Sequence, residues 1–150
     1  MADYQEIIDQ YPEQFQGGPY FLGISIDSGW TPIVLDACRE IQERLTADEL
    51  RRFHWIQIKE KFGGLKLYWG PDNTISVAII EPATVHSLEI ASDEPPGFTK
   101  PTVLAIREIV ARACERAGRT CEICGGPGRL YADGYWQTLC EDCAAERGKY

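Results

Sequence analysis

Apolar residues return along this chain with two different periods, and the changes of period mark out its elements. From Trp30 to Leu45, the residues Trp30, Ile33, Val34, Ala37, Cys38, Ile41 and Leu45 recur every three or four positions, while Asp36, Arg39, Glu40 and Glu43 fill the opposite side. That spacing predicts an amphipathic helix burying one stripe. A second helix is predicted from Pro101, a residue suited to a first helical turn, through the stripe Val103, Ile106, Ile109, Val110, Ala113, Cys114 and Ala117 to a stop at Gly118. Two shorter helices are expected. One carries Tyr4, Ile7, Ile8 and Tyr11 ahead of Pro12, and the other runs to Arg52 behind a capping box of Thr46 and Glu49.

Elsewhere the period is two. Phe21 to Ile26 alternates as an extended segment before a turn at Asp27-Ser28-Gly29. In HWIQIKEKFGGLKLYWG, Ile56, Ile58 and Phe62 alternate with Gln57, Lys59 and Lys61, and Leu65, Leu67 and Trp69 alternate with Lys66 and Tyr68. This predicts a β-hairpin turning at Gly63-Gly64, where glycine tolerates positive φ. Trp69 shares the apolar face of its strand. Trp55 shares its face with Gln57, Lys59 and Lys61, which makes it the candidate for an exposed contact. Residues 75–80 and 84–90 read as two more extended runs. The fold class expected is α+β: a small antiparallel sheet of about four strands packed on two main helices over residues 1–118, with a zinc-ribbon or treble-clef-like module at 119–150.

Composition narrows the class. With 44% hydrophobic and 25% charged residues in 150, the chain can bury a core and is not built to need a metal or disulfides throughout. No apolar run approaches the ~20 residues that span a bilayer. The opening MADYQEIIDQYPEQF has neither a basic start nor an unbroken apolar stretch, so a cytoplasmic location and reduced thiols are expected. A net charge of −8 weighs against a protein that coats nucleic acid. Acids exceed bases eleven to five over residues 1–60 but stand at seven each over 101–150. The acidic surplus is N-terminal, a solvated face that could also steer a basic partner.

The chemistry lies in CEICGGPGRLYADGYWQTLCEDC. Cys121, Cys124, Cys140 and Cys143 form two Cys-x-x-Cys pairs separated by fifteen residues, the spacing of a four-thiolate zinc site. Glycines follow Cys124 as in a zinc knuckle, and Asp133-Gly134 turns a hairpin between the pairs. Tyr131, Tyr135 and Trp136 are expected to supply apolar cover. Four protein ligands leave no open position, so a structural Zn²⁺ is expected, with an iron–sulfur centre the weaker alternative. A redox dithiol needs one pair at a helix start, and this chain has two bracketing a hairpin. Arg116, Arg119 and Arg129 are placed to offset the formal −2 charge of such a site.

Other reactive residue types read as structural. Cys38 and Cys114 lie on apolar helix stripes, and His54 and His86 have no ligand-spaced neighbours. KFGGLK lacks the order of a phosphate-binding loop, and GISID misses the nucleophile elbow at its last position.

Three segments taken together, GWTPIVLDACREI, IQIKEKFGGLKLYWG and the cysteine module, resemble a group of small bacterial and bacteriophage proteins of uncharacterised function. That group is typified by a KEKFGxLRFY hairpin and a C-terminal four-cysteine knuckle pair. The likeness covers residues 29–69 and 103–143, with Lys66 and Leu67 where the group has Arg and Phe. It implies layout and no activity.

The function expected is that of a non-catalytic, zinc-stabilised factor that binds another protein, as an inhibitor or immunity protein neutralising a toxin or host-defence protein does. The alternative is a nucleic-acid-associated regulator using the zinc hairpin with Arg112, Arg116, Arg119 and Arg129.

Overall fold

A computed structural model describes residues 4–71 and 97–149. The expected strands at 75–80 and 84–90, and His86, lie outside the described residues. The rest is α+β, as the two periods imply. The elements are α1 (Gln5–Gln10), β1 (Ile24–Ser25), α2 (Thr31–Arg44), α3 (Ala47–Arg52), β2 (His54–Lys61), β3 (Gly64–Gly70), α4 (Lys100–Ala117), β4 (Arg129–Tyr131), β5 (Gln137–Leu139) and α5 (Glu141–Glu146). Short 3₁₀ turns occupy Pro12–Phe15, Gly18–Tyr20 and Ser28–Trp30.

Among the described residues β1, β2 and β3 form one sheet in that order, and β4 pairs with β5 in a second. The extended run after Phe21 contributes only two residues, and it pairs parallel to β2, with Ile24 opposite Ile58. β2 and β3 form the expected antiparallel hairpin.

The stripes of α2 and α4 meet over this sheet. Trp30, Ile33, Val34, Ala37, Cys38 and Ile41 pack with Val103, Ile106, Ile109, Ala113 and Ala117 and with Ile58, Leu65 and Leu67 in a single buried cluster. Across the outer edge of the helix pair, Arg112 bonds Glu40 and Arg116 bonds Asp36 at 2.6 Å. The Thr46 capping box is complete: its hydroxyl accepts from Glu49 N, and the Glu49 carboxylate accepts from Thr46 N at 2.9 Å. The other Glu49 oxygen accepts from the Thr102 hydroxyl at 2.7 Å, tying α3 to the first turn of α4.

Two hairpin expectations are corrected. The turn is Phe62-Gly63, because Lys61 pairs with Gly64, and φ is positive at Phe62 (53°) and Gly63 (78°). Phe62 is therefore a turn residue and 70% exposed, not part of the strand's apolar face. Trp55 is fully buried, not an exposed contact. A bulge between Trp55 and Gln57 breaks the alternation, so Trp55 joins Ile58 on the core face. There its ring meets Phe53 edge-on at 5.0 Å, and its indole N–H donates to Gln14 Oε1 at 2.9 Å. Gln14, itself fully buried, donates in turn to the Cys38 carbonyl at 2.8 Å and to Gln42 Oε1 at 3.0 Å. This small polar relay holds the 3₁₀ turn at Pro12–Phe15 against α2 and β2. Trp69 is half-buried, stacked on Phe53 and edge-on to Phe98.

Candidate metal centre

The chain after α4 supplies a knuckle, a two-stranded hairpin and a short helix, and each half of the cysteine set sits on a different one. Cys121 and Cys124 flank the knuckle turn. Gly125 takes φ of 82° there, and its N–H returns to the Cys121 carbonyl at 2.9 Å. Cys140 is the N-cap of α5, its sulfur accepting from Cys143 N at 3.4 Å. The second pair therefore opens a helix and does not repeat the knuckle. In the knuckle Gly126 N donates to Cys124 Sγ, also at 3.4 Å.

The four sulfurs all lie within 4.8 Å of one another, and Cys124 Sγ stands 3.7 Å from Cys140 Sγ. Sulfurs at about 2.3 Å from one tetrahedral ion are about 3.8 Å apart, so the spacing fits a single ion. Bridging atoms of an iron–sulfur cluster would hold the thiolates farther apart. No disulfide joins any of the six cysteines.

The thiols respond to one another. Burial pushes Cys121 up, but backbone N–H groups of Cys124, Cys140 and Ile123 outweigh it and bring the thiol down to about 7. Cys143 is raised, first by its hydrogen bond with Cys140 and then by burial. Four thiolates at this separation repel, and a divalent cation is the charge that reconciles them. Arg116, Arg119 and Arg129 contact Asp36, Glu115 and the face of the Tyr131 ring. The backbone N–H groups of Gly126 and Cys143 donate to the sulfurs themselves.

The module is bolted to the body at two points. At the first, the Ser28–Trp30 turn lies against the knuckle: Gly29 N donates to the Glu122 carbonyl at 2.9 Å, Ser28 Oγ to the Ile123 carbonyl at 3.2 Å, and Trp30 Nε1 to the Thr120 carbonyl at 2.8 Å. A Cβ on Gly29 would stand 2.6 Å from the Glu122 carbonyl carbon and closer still to the Cys121 oxygen. At the second, the hairpin turn meets β5. Thr138 Oγ1 donates to the Gly63 carbonyl at 2.7 Å, and Glu60 accepts from Gly63 N at 2.8 Å and from the Tyr135 hydroxyl at 2.7 Å. That carboxylate pushes the Tyr135 hydroxyl up to about 12.

Between the bolts lies Glu122. It is 3% exposed, and it accepts from Thr138 N at 2.9 Å and from Gln137 Nε2 at 3.5 Å. Burial raises it above the usual carboxylate range. No motif marks it, because its environment comes from β5 and not from its neighbours in sequence. Tyr131 covers the module's interior as expected, but Tyr135 (67%) and Trp136 (44%) are exposed.

Burial pushes the Cys38 thiol up to about 12 and raises Cys114 as well, leaving both poor nucleophiles. His54 is buried at the start of β2. Among the described residues no helix is long and apolar enough to cross a membrane. No family model, curated protein or solved structure matches the chain.

Proposed function

We propose that the protein is a zinc-stabilised, non-catalytic cytoplasmic factor that acts by binding another protein, in the manner of an inhibitor or immunity factor. The observation that carries the reading is the closure of the four-cysteine site. Four thiolates complete the tetrahedral shell of a Zn²⁺ ion and give it a structural role. The ion then fixes a hairpin whose outer surface is free to make contacts. Of the four arginines that would touch phosphates in a nucleic-acid regulator, Arg112, Arg116 and Arg119 are paired with Glu40 and Glu108, Asp36, and Glu115, and Arg129 lies over the Tyr131 ring. Their pairing favours the protein-binding reading.

The test is recovery of the tagged full-length protein from the cells that carry its gene, followed by reassembly from purified components. The expected result is one zinc per chain and a protein partner that re-forms a complex near one-to-one. Recovery with nucleic acid alone, and a mobility shift at low salt, would replace this reading with the nucleic-acid one.

A further inference from the structure

Six large apolar side chains stand exposed among the described residues, and four of them, Phe62, Leu130, Tyr135 and Trp136, gather at one end of the molecule. The tips of the two hairpins merge there. Phe62 meets Trp136 edge-on with ring centroids 6.1 Å apart, and Leu130 Cδ1 lies 2.5 Å from where a Cβ on Gly63 would stand. Tyr135 is held beside them by its bond to Glu60.

The backbone at this tip is strained for a small packing return, the edge-on contact of Phe62 with Trp136. Phe62 occupies the left-handed region, which glycine or asparagine fills at lower cost, and its ring remains 70% exposed. A strained residue displaying an aromatic ring to solvent is the arrangement expected of a contact site.

Cations outnumber the exposed and half-buried carboxylates around the patch. The Lys61 ammonium stands 5.7 Å from the Phe62 ring centroid, and the Lys66 ammonium is 3.9 Å from the Cβ position of Gly64. Arg129 reaches the Leu130 carbonyl at 3.4 Å, and Lys149 the Tyr135 carbonyl at 2.7 Å. Carboxylates stand among these cations: Glu60, half-buried and bonded to the turn backbone and Tyr135, and the exposed Asp27 and Asp133. The tip is thus an apolar platform with four cations against three carboxylates at its rim, on a chain of net charge −8.

We propose that this tip is the docking surface for a segment of a partner protein that is acidic and carries large apolar side chains. The proposal rests on the protein-binding reading and gives the partner's contact face the opposite charge from the one the acidic N-terminal surplus implied. Complementary charge steers such an encounter while the aromatic side chains supply the buried anchor. Two-fold pairing of two copies through the same tip would set cations against cations. Base stacking is disfavoured because Phe62 and Trp136 cross at 68°, the edge of one ring set against the face of the other.

The test places a photo-crosslinker in the full-length protein in its native cells, as Trp136→p-benzoylphenylalanine and, as a control on α4, Leu104→p-benzoylphenylalanine. The expected result is a protein adduct from position 136 whose crosslinked peptide, sequenced by mass spectrometry, has more acidic than basic residues together with large apolar ones. Adding Lys61→Glu and Phe62→Asn should cut its yield at least tenfold with metal content and melting temperature kept, since asparagine suits the turn. A protein adduct from position 104 alone would overturn the tip and leave protein binding standing. Protein adducts from neither position would overturn both. An adduct to a basic or neutral peptide, a second copy of the chain or nucleic acid would overturn the proposed partner, as would undiminished yield in the double variant.

Discussion

The body of the protein and its C-terminal module solve the problem of stability differently. Over the described residues the body gathers twenty-one buried apolar residues into one cluster, from Ile7 on α1 to Ala117 at the end of α4. The module has five, Cys121, Tyr131, Leu139, Cys143 and Ala144, and two of these are the candidate ligands. Ordering a residue costs about 1–2 kcal/mol of backbone entropy, and so small a cluster cannot offset that over the length of the module. The body is held by apolar burial. Its bolts to the Ser28–Trp30 turn and the Phe62-Gly63 turn hold the module, together with the ion that we propose its four cysteines bind. On that proposal one region of the chain should tolerate metal loss and the other should not.

Metal removal should separate the two most sharply. Cys124→Ser, or chelation, is expected to abolish amide exchange protection across residues 119–149 while α2, α4 and the β2–β3 hairpin keep theirs, read by hydrogen-exchange mass spectrometry. Acid should act in the same direction, because protonated thiols release the ion.

Trp55→Ala should do the reverse. Removing a fully buried indole is expected to cost about 3–5 kcal/mol, and Gln14 Oε1 loses its donor besides. Chemical denaturation would measure the loss, and metal content of the folded fraction should stay at one ion per chain.

Gly29→Ala tests the joint itself. The added methyl has no space against the Cys121 and Glu122 carbonyl groups, so a penalty of about 1–3 kcal/mol is expected. Exchange protection should fall at Gly29 and Glu122 before it falls in the core.

The smallest effect belongs to the capping box, wholly within the body. Thr46→Ala should cost about 1 kcal/mol. Burial pushes Glu49 up, but the hydrogen bonds from Thr46 and Thr102 outweigh it and hold its carboxyl below the usual range. A depressed carboxyl contributes stability that is complete above its unfolded pKa and is lost as pH falls through the folded value. The wild-type melting temperature should therefore drop faster than that of Thr46→Ala as pH falls below about 4.5.

What could be read from the sequence divides along similar lines. Features set by local spacing were visible: the stripes of α2 and α4, the Thr46–Glu49 box, and the two Cys-x-x-Cys pairs whose sulfurs the fold brings together. Features set by register or by distant contacts were not. The bulge that turns Trp55 inward leaves no mark in an alternating run. Gly63-Gly64 reads as the turn because glycine suits positive φ, yet the pairing of Lys61 with Gly64 shifts the turn by one residue onto Phe62. Gln14 and Glu122 look like surface residues, and each is buried by an element far from it in the chain. Tyr135 and Trp136 look like cover for a small module because aromatic residues usually bury, and here they face out beside Phe62.

Four sulfurs holding one ion is the premise of both the module's stability and its proposed role. X-ray absorption at the zinc edge on protein purified without chelators tests that most directly. The expected result is one zinc per chain with four sulfur neighbours at about 2.3 Å and no lighter donor. Fewer than four sulfurs, an oxygen neighbour from water, or an iron–iron distance at the iron edge in place of zinc would contradict it.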